Sequence, residues 1–291
     1  MTRQPLSGRI AVVTGAARGL GACMADSLVH RGATVALVGL EEGELARVAA
    51  SSPGRVHYWL ADVTDGAALA ETAARIQKDL GPPSVVVGNA GVATVCSFLR
   101  SDPAVWRRVI EVNLIGSSLT ARAFLPGLLA TQGYYLQMAS LASFTAAPLM
   151  SAYCASKAGV EAFAQALRVE VAHRGVDVGI AYLSWADTEL IDAVALTELR
   201  TRMPWPAKKV HSPQAVADRL VRGVERRAPA IYAQPWVRAA QALRGGLPAF
   251  VAHWFRKELP SLESHGGSAE TGLIGAGGRA DHAQAPYRDG A

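Results

Sequence analysis

Short β-rich runs alternate along this chain with longer segments whose apolar positions recur at helical spacing. Ile10–Thr14, Thr34–Val38, Val56–Leu60, Val85–Val87, Tyr134–Ala139, Asp177–Leu183 and Ala230–Ala233 read as strands. Between them Ala22–Arg31, Glu42–Ser51, Asp65–Leu80, Pro103–Thr131, Ala152–His173 and Pro213–Arg226 read as helices, with Asp65 placed as an N-cap. Strand and helix thus alternate about seven times, which predicts a parallel sheet covered on both faces. Right-handed crossovers make it a doubly wound, Rossmann-like α/β fold. No internal repeat is visible.

At 291 residues, half of them apolar, the chain fits one domain with a large core and a tail. The expected division is a dinucleotide-type domain over 1–235, an extension over 236–259 and a disordered tail over 260–291, where Gly-Gly-Ser and Gly-Ala-Gly-Gly stretches leave little to bury. In the extension Trp236, Ala240, Leu243, Leu247, Phe250 and Trp254 recur at near-helical spacing, and Gly245-Gly246 with Pro248 divide them between two short helices. Arginines flank this stripe. It suits packing on the core or across a homodimer or homotetramer interface, and also peripheral contact with a membrane surface.

Net charge refines the picture. Of the formal +5, an excess of eight positive charges lies between Trp205 and Lys257, so the remainder is slightly acidic at about −3. That imbalance excludes nucleic acid as the partner of the whole protein. Cys23, Cys96 and Cys154 are scattered and match no metal spacing, which fits reduced thiols, no metal site and a cytoplasmic location. No apolar run precedes the first strand, so no signal peptide is expected, and no uninterrupted apolar stretch reaches eighteen residues.

The chemistry-bearing string is Tyr153-Cys-Ala-Ser-Lys157. A tyrosine and a lysine four apart share one helix face. A free phenol titrates near ~10, and a nearby ammonium lowers that value, so the pair suits acid–base work on an alcohol or ketone. Upstream lies Thr14-Gly-Ala-Ala-Arg-Gly-Leu-Gly21, a glycine turn between a strand and a helix, where backbone amides can hold a pyrophosphate. Asn89-Ala-Gly91, Asn113 and Ser140 follow in order.

Together these motifs resemble the short-chain dehydrogenase/reductase family, from about Arg9 to about Ala233. The resemblance implies an NAD(P)-dependent oxidoreductase acting on CH–OH groups. It casts Tyr153 as the acid–base, Ser140 as donor to the substrate oxygen and Lys157 as holder of the nicotinamide ribose. Asn113 would keep a kink and a water relay in its helix. Gly15, Arg18, Gly19, Leu20 and Gly21 would cradle the pyrophosphate. Asp62, Val63, Asn89, Ala90 and Gly91 would border the adenine, and Thr188 would hold the carboxamide. Ser143 and Ser156 are weaker rivals to Ser140, with Ser156 read as packing or helix surface.

Three departures stand out: Gly88 where an asparagine is frequent, Leu183-Ser184 for Pro-Gly, and Gly39 where NAD-binding members carry an acid. With Gly39 there and Arg18 facing a 2′-phosphate, NADP is expected over NAD, and Glu41 and Glu42 are read as solvated. Trp185 is read either as stacking near the nicotinamide or as core. The loop Glu189–Pro206, carrying Leu190, Ile191, Val194, Leu196, Leu199, Met203 and Trp205, implies an apolar small-molecule substrate of terpenoid, steroid, polyketide or fatty-acyl type. A dehydratase or epimerase, or a non-catalytic nucleotide-binding regulator, are the other readings.

Overall fold

The computed structural model describes residues 5–188, 194–265, 272–274, 277–278 and 280–281. One sheet holds β1 (Ile10–Thr14), β2 (Thr34–Gly39), β3 (Val56–Leu60), β4 (Val85–Gly88), β5 (Tyr134–Met138), β6 (Asp177–Tyr182) and β7 (Ala230–Tyr232). The strand order is β3-β2-β1-β4-β5-β6-β7, and every neighbouring pair is parallel. This is the expected doubly wound sheet, and each strand lies close to its expected bounds.

A parallel sheet needs cover on both faces. Along β1, Val12 points into one core while Ala11 and Val13 point into the other, as the period of two demands. The first core is closed by α3 (Gly66–Asp79), α4 (Pro103–Ile110), α5 (Gly116–Thr131) and α6 (Ser151–Ala172). The second is closed by α1 (Gly19–His30), α2 (Glu42–Ala50) and α8 (Pro213–Glu225). Asp65 caps α3 as expected, its carboxylate accepting from the amides of Ala67 and Ala68 at 2.9 and 3.0 Å. The chain winds outward from β1 to β3, then returns to β4 on the other side of β1. The C-terminal ends of β1 and β4 therefore face a crevice, the usual ligand site of such sheets.

The single helix expected over Pro103–Thr131 is divided. A π-helical turn, Glu111–Ile115, joins α4 to α5 and carries Asn113. By length and composition this run could cross a membrane. In the fold Val105, Val109, Phe124 and Leu128 are buried against the domain's own core.

Beyond β6 the chain adds α7 (Val194–Thr201), a helix where the pattern predicts a loop, with Leu196 and Leu199 buried. Leu190 and Ile191 lie outside the described residues. The extension forms α9 (Pro235–Ala242) and α10 (Leu247–Phe255), separated at the expected glycines. Val237 and Phe255 are buried, and Trp236, Ala240 and Leu247 pack against the first core. Leu243, Phe250 and Trp254 stay exposed. Within the segment expected to be a disordered tail, the described residues take defined positions. Helix α11 (Leu259–His265) buries Leu262, Ile274 pairs with Ala93, and Asp281 is ion-paired with Arg108. Composition favoured disorder, but a few apolar contacts and one buried ion pair supply the order at these positions.

The sheet also accounts for Gly88. A Cβ there would collide with the Tyr135 hydroxyl and lie 3.2 Å from Gln137 Oε1. That hydroxyl donates to Gln137 Oε1 at 2.8 Å, and Gln137 Nε2 donates to Ser117 Oγ at 3.1 Å and weakly to Gly88 O. A buried polar cluster on β5 thus fills the space that a side chain at position 88 would need. Gly88→Asn should lower stability by about 1–3 kcal/mol through overpacking, read from the urea midpoint. Tyr135→Phe removes the colliding oxygen, so the double variant should lose less than the two single losses added together. Additive losses would reject this account of the glycine.

Candidate active site

The glycine turn closes on β4 through side chains that its sequence does not advertise. Gly15 and Gly19 take left-handed φ values of 63° and 51°. A Cβ on Gly15 would stand 2.7 Å from Ala90 Cα, and one on Gly21 would stand 2.7 Å from Asn89 Nδ2. Asn89 Nδ2 donates to Thr14 O at 2.9 Å and Gly15 O at 3.1 Å. Thr14 Oγ1 accepts from the amides of Asn89 and Ala90 and donates to Val87 O. Asn89 therefore clasps the turn, in addition to bordering the crevice. Helix α1 opens at Gly19 without a side-chain cap. Its first amides, with Leu20 and Gly21 in the same turn, face the crevice and can receive a pyrophosphate.

A cavity of about 520 Å³ runs from Gly15 past Asp62, Val63, Ala90 and Gly91 to Ser140, Tyr153 and Lys157. Every residue expected from the sequence to touch a dinucleotide lines it: Gly15, Arg18, Gly19, Leu20, Gly21, Asp62, Val63, Asn89, Ala90, Gly91 and Thr188. Asp62 accepts from Thr64 N at 2.8 Å and from Arg108 Nη2 at 2.9 Å. Burial pushes its carboxyl upward, but these hydrogen bonds outweigh that and hold it below the usual range. Thr188 packs its methyl 3.3 Å from where a Cβ on Gly19 would lie.

Ser140 follows β5 and caps a short 3₁₀ turn. Its Oγ accepts from Ala142 N at 3.1 Å, while its own amide donates to Ser143 Oγ at 3.2 Å. Ser143 is thus a buried support for Ser140. Ser140 and Tyr153 line the same cavity, and the serine lowers the phenol's pKa. Tyr153 and Lys157 rise from the first turns of α6, with Lys157 Nζ 5.6 Å from the centre of the tyrosine ring and donating to Met138 O at 3.1 Å.

The expected ammonium-depressed phenol is corrected here. Burial pushes Tyr153 up to about 12, against a smaller lowering by Ser140. Burial likewise pulls Lys157 down to about 8. The lysine sits over the ring face, and desolvation is the largest effect on both groups. Tyr153 is therefore a proton donor at neutral pH.

Asn113 is fully buried and spans three elements. Its Oδ1 accepts from Val92 N at 2.8 Å, and its Nδ2 donates to Val92 O and to Ser156 Oγ, each at 2.9 Å. Ser156, read from the sequence as packing or surface, is buried and passes the connection to Tyr153 O at 2.8 Å. The amide side chain of Asn113 is thus fully engaged as a clamp between the segment after β4 and the helix of Tyr153.

Two expectations change with the structure. Arg18 does face the crevice, but its Nε and Nη2 donate to Glu41 Oε1 at 2.9 and 2.6 Å. Glu41, expected to be solvated, lines the cavity, whereas Glu42 is exposed as expected. Leu183-Ser184, in place of Pro-Gly, is tied down by Leu141 N donating to Leu183 O at 2.8 Å and Ser184 N donating to Gln234 Oε1 at 2.9 Å. Trp185 lines the cavity. Arg108, Ser156 and Gln234 escape sequence reading because their partners lie 43 to 50 or more positions away and no local spacing marks them.

Comparison with known proteins decides what this constellation is. The short chain dehydrogenase family pattern matches residues 9–198. The chain belongs to the short-chain dehydrogenase/reductase family. It is 33% identical over 216 residues to the cis-4-hydroxycyclohexanecarboxylate dehydrogenase of Sinomonas cyclohexanicum, covering 72% of this chain and 86% of that one. It is 28% identical over 227 residues to 2-(S)-hydroxypropyl-CoM dehydrogenase 3 of Xanthobacter autotrophicus, covering 74% and 89%. With the D-beta-hydroxybutyrate dehydrogenase of Cupriavidus necator it shares 30% over 190 residues, covering 64% and 74%. The chain is therefore an oxidoreductase of this family acting on CH–OH groups, and dehydrogenases of the family generally use NAD(H) or NADP(H).

The depressed lysine generates a pH prediction for this dehydrogenase. Below about pH 8 Lys157 is charged and can donate charge-assisted hydrogen bonds; above it the charge is lost. The dissociation constant for NADH or NADPH, measured by fluorescence titration, should rise above pH 8, by about tenfold near one unit higher. Lys157→Ala should bind more weakly and show no such limb. A flat profile in the parent would reject the role.

Proposed function

We propose that this dehydrogenase interconverts an uncharged, apolar secondary alcohol and its ketone at Tyr153, with a nicotinamide dinucleotide along the cavity. The observation that carries the reading is that Ser140, Tyr153 and Lys157 line one end of a cavity that begins at the glycine turn, with Lys157 Nζ 5.6 Å from the centre of the Tyr153 ring. A bound nicotinamide would supply or accept the hydride. In reduction Ser140 and Tyr153 hydrogen-bond the carbonyl oxygen, and Tyr153 gives up its proton as charge develops there. In oxidation Tyr153 takes the hydroxyl proton, and Lys157 balances the phenolate. A non-catalytic regulator would have no use for a half-buried phenol and serine beside a buried lysine in this arrangement.

The cavity wall supports the apolar substrate class. Met150, Trp185, Leu196, Met203 and Ile274 line its catalytic end. Among the described residues its only cations are Arg18, held by Glu41, and Lys157, beneath Tyr153. No cation therefore stands among those apolar side chains to receive a carboxylate, and an unpaired buried charge is costly. On this ground the substrate differs from the hydroxy-acids named for two of the relatives. Assays should give uncharged alkylcyclohexanones at least ~10-fold higher kcat/KM than short 3-oxo acids, since each misplaced charge forfeits solvation. Tyr153→Phe should cost at least ~10²-fold in rate while the dinucleotide still binds. Near-parental turnover by the variant, or preference for the acids, would overturn the corresponding half of the proposal.

For the cofactor, Gly39 and Arg18 pointed to NADP, but the pairing of Arg18 with Glu41 shifts the balance to NAD. Glu41 lies 20 residues after Gly21 and presents a carboxylate at the crevice, where it can accept from ribose hydroxyls and repels a 2′-phosphate. Glu41→Gln removes that repulsion and loosens the hold on Arg18. The ratio of NADP to NAD affinity should then rise at least ~10-fold, as expected for exchanging a like charge for a charge-assisted contact. Titration of both cofactors checks this, and an unchanged ratio would exclude Glu41 as the discriminator.

A further inference from the structure

Among the described residues, α10 has an apolar face that no other element covers. Of its nine residues only His253 is polar. Its inner row is Leu247, Val251 and Phe255. Leu247 packs on the first core, while Val251 and Phe255 join the cluster of Met150, Leu196 and Met203, which line the catalytic end of the cavity. Its outer row is Phe250 and Trp254, one helical turn apart with ring centroids at 5.9 Å. They are 50% and 44% exposed. Trp254 Nε1 donates to Arg202 O at 3.0 Å, and Arg202 Nη1 donates to Glu258 Oε2 at 2.8 Å. These bonds fix the end of α10 against the turn that carries Trp205, which is 77% exposed.

A helix apolar on both sides is normally buried. A single exposed apolar side chain needs no explanation, but neighbouring exposed aromatics mark a contact surface. The charge around this face selects the partner. Between Arg238 and Lys257 the sequence holds four cations, these two with Arg244 and Arg256, and no acid. Arg244 pairs with the buried Glu161 at 2.8 Å and holds the extension to α6. Arg256 and Lys257, directly after the face, are exposed, and so are Lys208 and Lys209 beyond Trp205. In a twofold contact with a second copy this patch would meet itself, cation against cation. An anionic lipid surface complements those cations and takes aromatic rings at its headgroup level. At nine residues α10 is too short to cross a bilayer and suits lying along one.

We propose that the outer face of α10 docks on an anionic lipid surface. Phe250, Trp254 and Trp205 enter the headgroup region, while Arg256, Lys257, Lys208 and Lys209 meet the lipid charges. The inner row of the same helix packs on the cluster at the catalytic end, so docking sets that end of the protein beside the bilayer. The contact does not depend on the reaction assigned to the cavity, and either reading can fail alone.

The full chain, without dinucleotide or substrate, is floated with vesicles of phosphatidylcholine alone and of phosphatidylcholine mixed with phosphatidylglycerol. Binding to the anionic vesicles should be at least ~10-fold tighter, as several cations near such a surface imply, and should weaken as salt is raised. Arg256→Gln combined with Lys257→Gln should lower it about tenfold. Phe250→Ser should lower it at least ~3-fold, because a half-exposed ring loses its apolar burial. Bromine in the lipid acyl chains should quench the parent's tryptophan emission, and Trp254→Phe should lose part of that quenching. No binding by the parent, equal binding to both vesicles, no quenching, or parent-like binding by Phe250→Ser overturns the docking face. So does a fall in the particle mass of Phe250→Ser in sedimentation without lipid, which would make the face a contact between copies. If Phe250→Ser fails to fold, the double charge variant and the quenching decide.

Discussion

The clasp between β1 and β4 is the constraint on which the rest of the site depends. The two strands are neighbours in the sheet but are separated by three crossovers, so their C-terminal ends have no covalent reason to keep a fixed opening. Thr14 and Asn89 supply that reason through hydrogen bonds to each other's backbone. These bonds also satisfy polar groups that the turn would otherwise leave buried and unpaired. Gly15 and Gly21 complete the clasp by having no Cβ where Ala90 and Asn89 approach. The glycines thus serve close backbone packing as much as room for a phosphate.

A second constraint is polar continuity from that clasp to the chemistry. The segment after Asn89 reaches Val92, whose amide and carbonyl are both held by Asn113. Asn113 also reaches Ser156, which reaches the carbonyl of Tyr153. The π-turn that carries Asn113 gives the backbone an extra residue where this side chain must turn inward. The opening of the crevice and the position of the phenol are therefore coupled through side-chain hydrogen bonds, those of Asn113 being buried and costly to break.

The sequence revealed what is periodic and what is local. Parallel strands buried on both faces must be apolar over several residues, so the central strands announced themselves, the edge strand Val56–Leu60 showed through its β-branched and aromatic residues, and Asp65 announced its helix by the spacing of its cap. The Tyr153–Lys157 pair and the glycine turn were legible because helix geometry and turn sterics act within a few residues. What stayed hidden depends on distant partners. Arg108 looks like any helical arginine until Asp62 and Asp281 converge on it. Glu41 looks solvated until Arg18 turns to meet it. Gly88 looks like a harmless departure until Tyr135 from the next strand fills its space. Leu196 and Leu199 gave an apolar lid, but the helix they form appears only with the cluster of Phe255, Leu262 and Ile274 that receives it.

Burial sets the direction in which the site is poised. Tyr153 and Lys157 are both pushed toward their neutral forms, because each loses water and neither finds an opposite charge. A phenol held near 12 keeps its proton at neutral pH and is a weaker acid than a free one, whereas a lysine near 8 changes charge within the physiological range. The protein alone thus keeps the phenol in the protonated form from which reduction starts. Proton acceptance needs the phenolate stabilised by positive charge, and Lys157 in its protonated form, 5.6 Å from the ring centre, can supply it. The same desolvation that excludes water from the reacting oxygen therefore makes the reverse reaction depend on the charge state of one neighbouring amine.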